Sequence, residues 1–383
     1  MIRILIDLRP LLREAVSGET SRFILTAYSR IISANPENEW YILADIAPPG
    51  KMPLPIPGSH WITKKSFSGG PGWKHWYDWQ VPLAVRRLGI DLFIATGGAC
   101  SRVRIPQCVW MGGVMTSQEN GAGDRSFIPF YKKRIRKTLE KSGALFVFSE
   151  NLKRELVKKS GIPASKLFLL PAAAGADYQT LSWPQKENIK IGFAGGREYF
   201  VLAGTPVHAE AMGVLKAFSQ FKKRQQSNMQ LFIAVNGISR DALFTEKLSS
   251  YKYRSDLRLF DGASDVERRE IISGAYAVCG IVPENEPFNV LLEACKAGVP
   301  VITLDRPDTR QIMGEAALYT EVQEPESLAS LFNRLYIEES LRKRQIGYGL
   351  TRAGDAGWAK IDSQIIEGIS VALNKKNPNN YSQ

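Results

Sequence analysis

The sequence predicts an α/β protein of two domains, each built on a parallel sheet, and three observations carry that expectation. The run Val278 to Val282 is apolar and too short for a helix, so it reads as a buried strand. A polar turn follows, Pro283 to Pro287, then apolar residues at helical spacing (Val290, Leu291, Ala294), Gly298 as a stop, and a second apolar run, Val299 to Leu304. Strand, loop, helix, strand is the unit of a parallel sheet. Short apolar runs of the same kind recur along the chain with helical patterns between them. Finally, 383 residues, 44% of them hydrophobic, suffice for two cores.

Taken in order, Ile2 to Leu8 is the first strand, and Gly18-Glu19-Thr20 opens a helix with Phe23, Ile24, Ala27, Tyr28 and Ile31 on its apolar side. Trp40 to Ala44 is a second strand, and the proline- and glycine-rich stretch 45–70 reads as a long irregular loop. The aromatic cluster from Trp73 to Pro82 is read as a helix burying Trp76, Trp79 and Leu83. Its aromatics and bases would also suit a sugar or a membrane interface. Strands follow at Asp91 to Ala95 and Gln107 to Met111. The helix 130–141 carries Lys132, Lys133, Arg136, Lys137 and Lys141, either as a solvated face or for electrostatic docking on anionic lipid. Ala144 to Phe148, a helix over 151–160, and Leu167 to Pro171 complete the first half, with the domain boundary at 172–190. The second half has strands at Tyr199 to Thr205, Leu231 to Val235 and Leu257 to Phe260. A helix passes through Met212 to Phe221, and Ser264-Asp-Val-Glu267 is a capping box for another.

Charge is distributed unevenly. Residues 1–185 hold 25 Lys and Arg against 14 Asp and Glu, whereas 186–383 hold 25 against 24, so nearly all of the +12 lies in the first half. That asymmetry points to an anionic partner there: a membrane surface, a lipid diphosphate, an acidic glycan or nucleic acid. No recognised nucleic-acid-binding module accompanies the charge. No apolar run reaches 18 residues, so no membrane-spanning helix is expected, and the start reads as a strand rather than a signal peptide. Cys100, Cys108, Cys279 and Cys295 lack metal-ligand spacing and sit in or beside apolar runs, as reduced core cysteines of a cytoplasmic protein would. With three histidines, a histidine-based metal site is not expected.

The turn before Asn289 enters its helix at the amino end, where free N–H groups and the dipole favour an anion such as phosphate. Glu293 lies on the same side of that helix as Asn289. The residues Glu286-Pro-Phe288, Asn289-Val-Leu-Leu-Glu293-Ala294 and Gly298-Val-Pro300-Val-Ile302 resemble the donor-binding motif of retaining GT-B glycosyltransferases of the "glycosyl transferases group 1" family. The family leaves seven residues between its two glutamates. Glu286 and Glu293 have six between them, so Asn285 stands at the family spacing.

The resemblance implies two Rossmann-like domains facing each other across a cleft: residues 1–180 on the acceptor side, 190–357 on the donor side, and a helix at 358–374 returning to the first domain. It implies that Glu293 holds the donor ribose, with Phe288, Asn289 and Val290 at the helix start, and that Glu286 or Asn285 faces the donor sugar as the catalytic group. Gly204 and Thr205 occupy the family's tight turn after the first strand of the donor domain. Where relatives carry an Arg and a Lys against the diphosphate, this chain has Pro206-Val-His208-Ala209-Glu210, leaving His208, Arg197 and the Asn236 turn as nearby polar groups. Asp308 to Gln311 would abut the phosphates. On the acceptor side stand Gly18 and Glu19, and Gly112-Gly113 in place of the family's His-Asp. The implied activity is transfer of a sugar, with retention, from a nucleotide diphosphate sugar to an acceptor hydroxyl. Neither cofactor nor metal is expected, the acceptor would be lipid-linked or a surface polysaccharide, and the site of action the inner face of an anionic membrane. The alternative is a GT-B fold without chemistry, acting as a binding or scaffolding subunit for an active partner. The missing Arg-Lys pair, the missing His-Asp turn and the shortened spacing favour it.

Overall fold

The structure is a computed structural model that describes residues 1–13, 18–47, 56–67, 69–112, 126–321 and 324–374. Gly113 and the polar tail beyond Asn374 lie outside the described residues. The chain forms two compact units, one reaching to Pro171 and including Ala359 onward, the other Ala172–Trp358.

The first unit is a seven-stranded sheet in the order β3-β2-β1-β4-β5-β6-β7. Its strands are β1 (Arg3–Asp7), β2 (Glu39–Ala44), β3 (Ser59–Thr63), β4 (Leu92–Ala95), β5 (Gln107–Met111), β6 (Ala144–Val147) and β7 (Leu167–Leu169). Every pairing is parallel, Ile6 opposite both Ile42 and Ile94, for example. The stretch read as an irregular loop therefore contains a strand, β3, whose pleat of Trp61, Ile62 and Thr63 fits its β propensity. The helix Trp358–Asn374 lies so close to this sheet that a Cβ at Gly368 would fall 2.6 Å from Phe146, and Arg30 pairs with its Asp362 at 2.6 Å.

One helix differs from its expected face. Trp76 is fully buried, but Trp79 is 71% and Leu83 42% exposed. The cause is a π turn at Trp76–Gln80, which slips the register so that Val81, Ala84 and Val85 take the core positions.

The second unit is a six-stranded parallel sheet in the order β10-β9-β8-β11-β12-β13. It is built from β8 (Tyr199–Gly204), β9 (Gln230–Ala234), β10 (Leu257–Leu259), β11 (Ala277–Ile281), β12 (Val301–Leu304) and β13 (Ala317–Thr320). A helix not singled out in the sequence, Trp183–Ala194, opens this unit, and the capping box at Ser264 starts Asp265–Ser273, with Ser264 N donating to Glu267 at 2.9 Å. All four cysteines are buried and free. Among the described residues no helix is long and apolar enough to cross a membrane.

Candidate functional site

In both sheets the strand order runs outward in two directions from a central pair. Connections leaving the two strands of that pair go to opposite faces, which opens a crevice at their carboxyl ends. In the second unit the pair is β8 and β11. The helix after β8, His208–Gln225, packs with Phe200, Leu202 and Ile281 on one face, and Asn289–Lys296, after β11, with Val201, Ala203 and Val278 on the other. The backbones of the two strand ends nearly touch. Gly204 has φ 104°, and a Cβ there would sit 2.1 Å from the Ile281 carbonyl oxygen, so only glycine fits. Thr205 N donates to that same carbonyl at 2.9 Å.

The residues expected to act together mostly gather at this edge. Thr205 Oγ1 donates to Glu286 Oε2 at 2.9 Å, and Glu286 is fully buried. Asn285 is half-buried with φ 66°, a left-handed turn that asparagine tolerates better than most residues. The side chains of Phe288 and Val290 are in the core, so only their backbone is available at the helix start, where Phe288 supplies no capping side chain. Asn289 Oδ1 accepts from Ala173 N at 3.1 Å. Glu293, one turn on, is 4% exposed and ion-paired with Arg268 at 2.5 Å, and Arg268 also donates to the Tyr178 hydroxyl at 3.1 Å. No motif marks this pairing, since Arg268 and Glu293 meet only through the fold.

The basic groups are distributed differently from the sequence expectation. Arg197 precedes β8 and lies at its amino end, bonded to Asp256 at 3.3 Å; a strand of six residues, roughly 20 Å long, separates it from Gly204. The structure thus does not bring Arg197 to the others. Asn236, just past β9, is exposed at the carboxyl edge. His208 Nδ1 is 2.7 Å from Asp241 Oδ2. Glu210 caps its helix by accepting from Val207 N at 2.9 Å, and its other oxygen takes Arg306 Nη2 at 2.9 Å. Asp308, two residues on, is buried, and burial raises its pKa, partly offset by the Thr309 amide and Arg306.

On the first unit, Glu19 is buried at the start of the Gly18–Ala34 helix, Gly18 is exposed, and Gly112 follows β5 with φ 146°. A charged cluster that sequence reasoning missed lies at the corresponding crossing of this sheet, after β1. Arg9, fully buried, stacks 4.1 Å above Trp73 and pairs with Asp45 at 2.8 Å. Asp7 accepts from Trp76 Nε1 at 3.0 Å, and desolvation pushes its carboxyl up to about 6 despite Tyr77, Trp76 and Arg9.

Residues 185–352 match the model of the family described as "Glycosyl transferases group 1". None of the curated proteins matches the chain. Among solved structures, WaaG, a glycosyltransferase involved in lipopolysaccharide biosynthesis, superposes with TM-score 0.69 at 14% identity, covering 98% of this chain and 100% of its own. Sucrose-phosphate synthase (tll1590) from Thermosynechococcus elongatus gives 0.71 at 13%, covering 97% and 98%. Anabaena Alr3699/HepE in complex with UDP and glucose gives 0.71 at 12%, covering 97% and 100%. The two parallel α/β sheets thus have the GT-B fold, and residues 185–352 are similar in sequence to the glycosyl transferases group 1 family.

Proposed function

We propose that this protein transfers a sugar from a nucleotide diphosphate sugar to an acceptor hydroxyl with retention. One observation carries the reading: Gly204-Thr205 and the 283–288 turn close on each other at the switch point of the second sheet, beside the uncapped start of the Asn289–Lys296 helix. That is where an open parallel sheet takes a ligand and where a helix end favours phosphate. Glu293 takes the ribose, Glu286 or Asn285 faces the sugar, and His208 and Asn236 line the approach. In the reaction the bond from the anomeric carbon to the diphosphate oxygen breaks. The acceptor oxygen bonds on the same face, and its proton leaves with the nucleoside diphosphate. UDP in the Anabaena Alr3699/HepE structure supports a uridine nucleotide as the first donor to try.

The acceptor side of this reading is the first unit, through Gly18, Glu19 and Gly112, with a lipid-linked or surface-polysaccharide acceptor at the inner face of an anionic membrane. Exposed Trp79 and Leu83, with exposed Arg86, Arg87, Lys132, Lys133 and Arg136, support contact with such a surface, since tryptophan favours the headgroup layer and lysine and arginine the anionic lipids. Asp78 joins the two helices concerned by pairing with Arg134, and it also pairs with Arg102.

The test is calorimetric titration with a panel of UDP- and GDP-sugars against the wild type, Glu293→Gln and Glu293→Ala. Binding by the wild type that Glu293→Gln weakens supports the transferase. A folded protein that binds no nucleotide refutes it and leaves the second reading, a binding or scaffolding subunit. What favours that second reading is that the bases His208 and Arg306 each face a carboxylate at this edge.

A further inference from the structure

We infer that Arg306 is the cation that meets the donor diphosphate in this protein, held by Glu210 until the donor arrives; the inference rests on the transferase reading above. Arg306 follows β12, yet its side chain crosses the end of β11 to the helix after β8. Nη1 donates to the Val282 carbonyl at 3.3 Å and Nη2 to Glu210 Oε1 at 2.9 Å. One guanidinium therefore spans three neighbouring strand ends, including both that flank the switch point. Its backbone is fixed, with Arg306 N donating to Thr309 Oγ1 at 3.1 Å.

Accessibility and placement together favour Arg306 over Arg268, Lys222 and Arg197. Its side chain is 28% exposed while Glu210 is 7%, so a ligand entering from the edge meets the arginine first. Arg268 is 5% exposed and committed to Glu293. Lys222 and Arg197 both bond Asp256, at the amino end of the sheet. Arg306 has five N–H donors, of which these contacts use two, so phosphate oxygens can be added to the existing geometry. A buried, unpartnered oxygen, Asp308 Oδ2, lies two residues along the chain, and no described residue bonds it. Glu210 Oε2 stays on Val207 N whether or not Oε1 keeps the arginine, so the helix cap is independent of the pairing.

That independence provides a clean test. Glu210→Gln keeps the cap, because glutamine serves as well at the third helical position, and removes only the charge that offsets Arg306. Titrations would use UDP, inorganic pyrophosphate and uridine against the wild type, Arg306→Gln, Arg306→Lys and Glu210→Gln, with thermal unfolding to confirm that each variant is folded. The expected pattern has Arg306→Gln weakening UDP about 10-fold or more, Arg306→Lys falling between, Glu210→Gln tightening UDP and pyrophosphate severalfold, and uridine unchanged throughout. Equal UDP affinity in wild type and Arg306→Gln overturns the inference and leaves the transferase reading standing. So does a loss at Arg306→Gln that uridine shares, which marks a structural role. A wild type that binds none of the three overturns both.

Discussion

Replacing Glu293 separates its two roles, because the structure gives it a structural partner as well as a place at the donor site. In Glu293→Ala the Arg268 guanidinium, 5% exposed, still donates to the Tyr178 hydroxyl but loses its carboxylate. Stranding one member of a buried ion pair costs about 3–5 kcal/mol. For a unit the length of Ala172–Trp358, each kcal/mol lowers Tm by roughly 2–4 °C, so the transition should fall by roughly 6–20 °C. Glu293→Gln leaves an oxygen for Arg268 and should lose less than half of that. If the carboxylate also accepts a ribose hydroxyl, Glu293→Gln gives up one charge-assisted hydrogen bond, about 1.5–3 kcal/mol, or roughly 10–150-fold in Kd for UDP. Scanning calorimetry reads the first effect and isothermal titration the second. Glu293→Gln that binds UDP as the wild type does, alongside an unstable Glu293→Ala, would show that the residue only holds Arg268, and the assignment of the ribose to it would fail.

Three further outcomes are expected. Gly204→Ala places a Cβ against the Ile281 carbonyl at a positive φ, so it should lower stability by several kcal/mol, about 3 or more, and abolish nucleotide binding; a well-folded, UDP-binding variant would show that β8 and β11 part easily. Asp7, pushed from 3.8 up to about 6, binds its proton more tightly folded than unfolded, so the first unit should lose about 3 kcal/mol of stability as pH rises from 3.8 through 6. Urea unfolding at pH 4 and pH 7.5 reads this, and Asp7→Asn should flatten the difference; an unchanged slope would mean that the carboxyl is ionised throughout. Trp79→Ala combined with Leu83→Ala should reduce sedimentation with vesicles containing phosphatidylglycerol without altering Tm, whereas equal sedimentation would remove this face from the membrane reading.

The fold was legible because strands of a parallel sheet buried on both faces are short continuous apolar runs, and Gln107–Met111 or Ala277–Ile281 announce themselves in that way. β3 was not, because none of its five residues is buried and it lies among prolines and glycines. Trp79 was misplaced since a heptad-like reading assumes 3.6 residues per turn, and the π turn at Trp76–Gln80 breaks that assumption without a sequence mark. At the site, the Asn289 helix and its flanking turn follow from local pattern. Arg268 and Arg306 could not be found, because what matters about each is a partner 25 or 96 residues away, and one sequence carries no record of such pairs.

The missing basic pair after β8 favours a fold without its chemistry. The structure supplies a physical criterion for judging that. A cation can serve a departing diphosphate only if it can leave its present partner for less than the phosphate returns. Arg268 fails, since breaking a buried pair costs about 3–5 kcal/mol, more than the roughly 1.5–3 of a charge-assisted hydrogen bond. Arg306 is better placed: its side chain is 28% exposed, so it can turn to a ligand at less cost than the fully buried Arg268, and Glu210 keeps the Val207 amide when the arginine turns away. His208 offers a donor to a phosphate only by giving up Asp241, or through the ring nitrogen that Asp241 does not hold. Of these three groups Arg306 is the releasable guanidinium, where relatives are expected to have two fixed cations. Weaker diphosphate stabilisation, and a transfer step slower than that of such relatives, follows from this if the protein is an enzyme. If it is a binding subunit, Arg306 and Glu210 simply stay together, and the UDP affinities of Arg306→Gln and Glu210→Gln decide which.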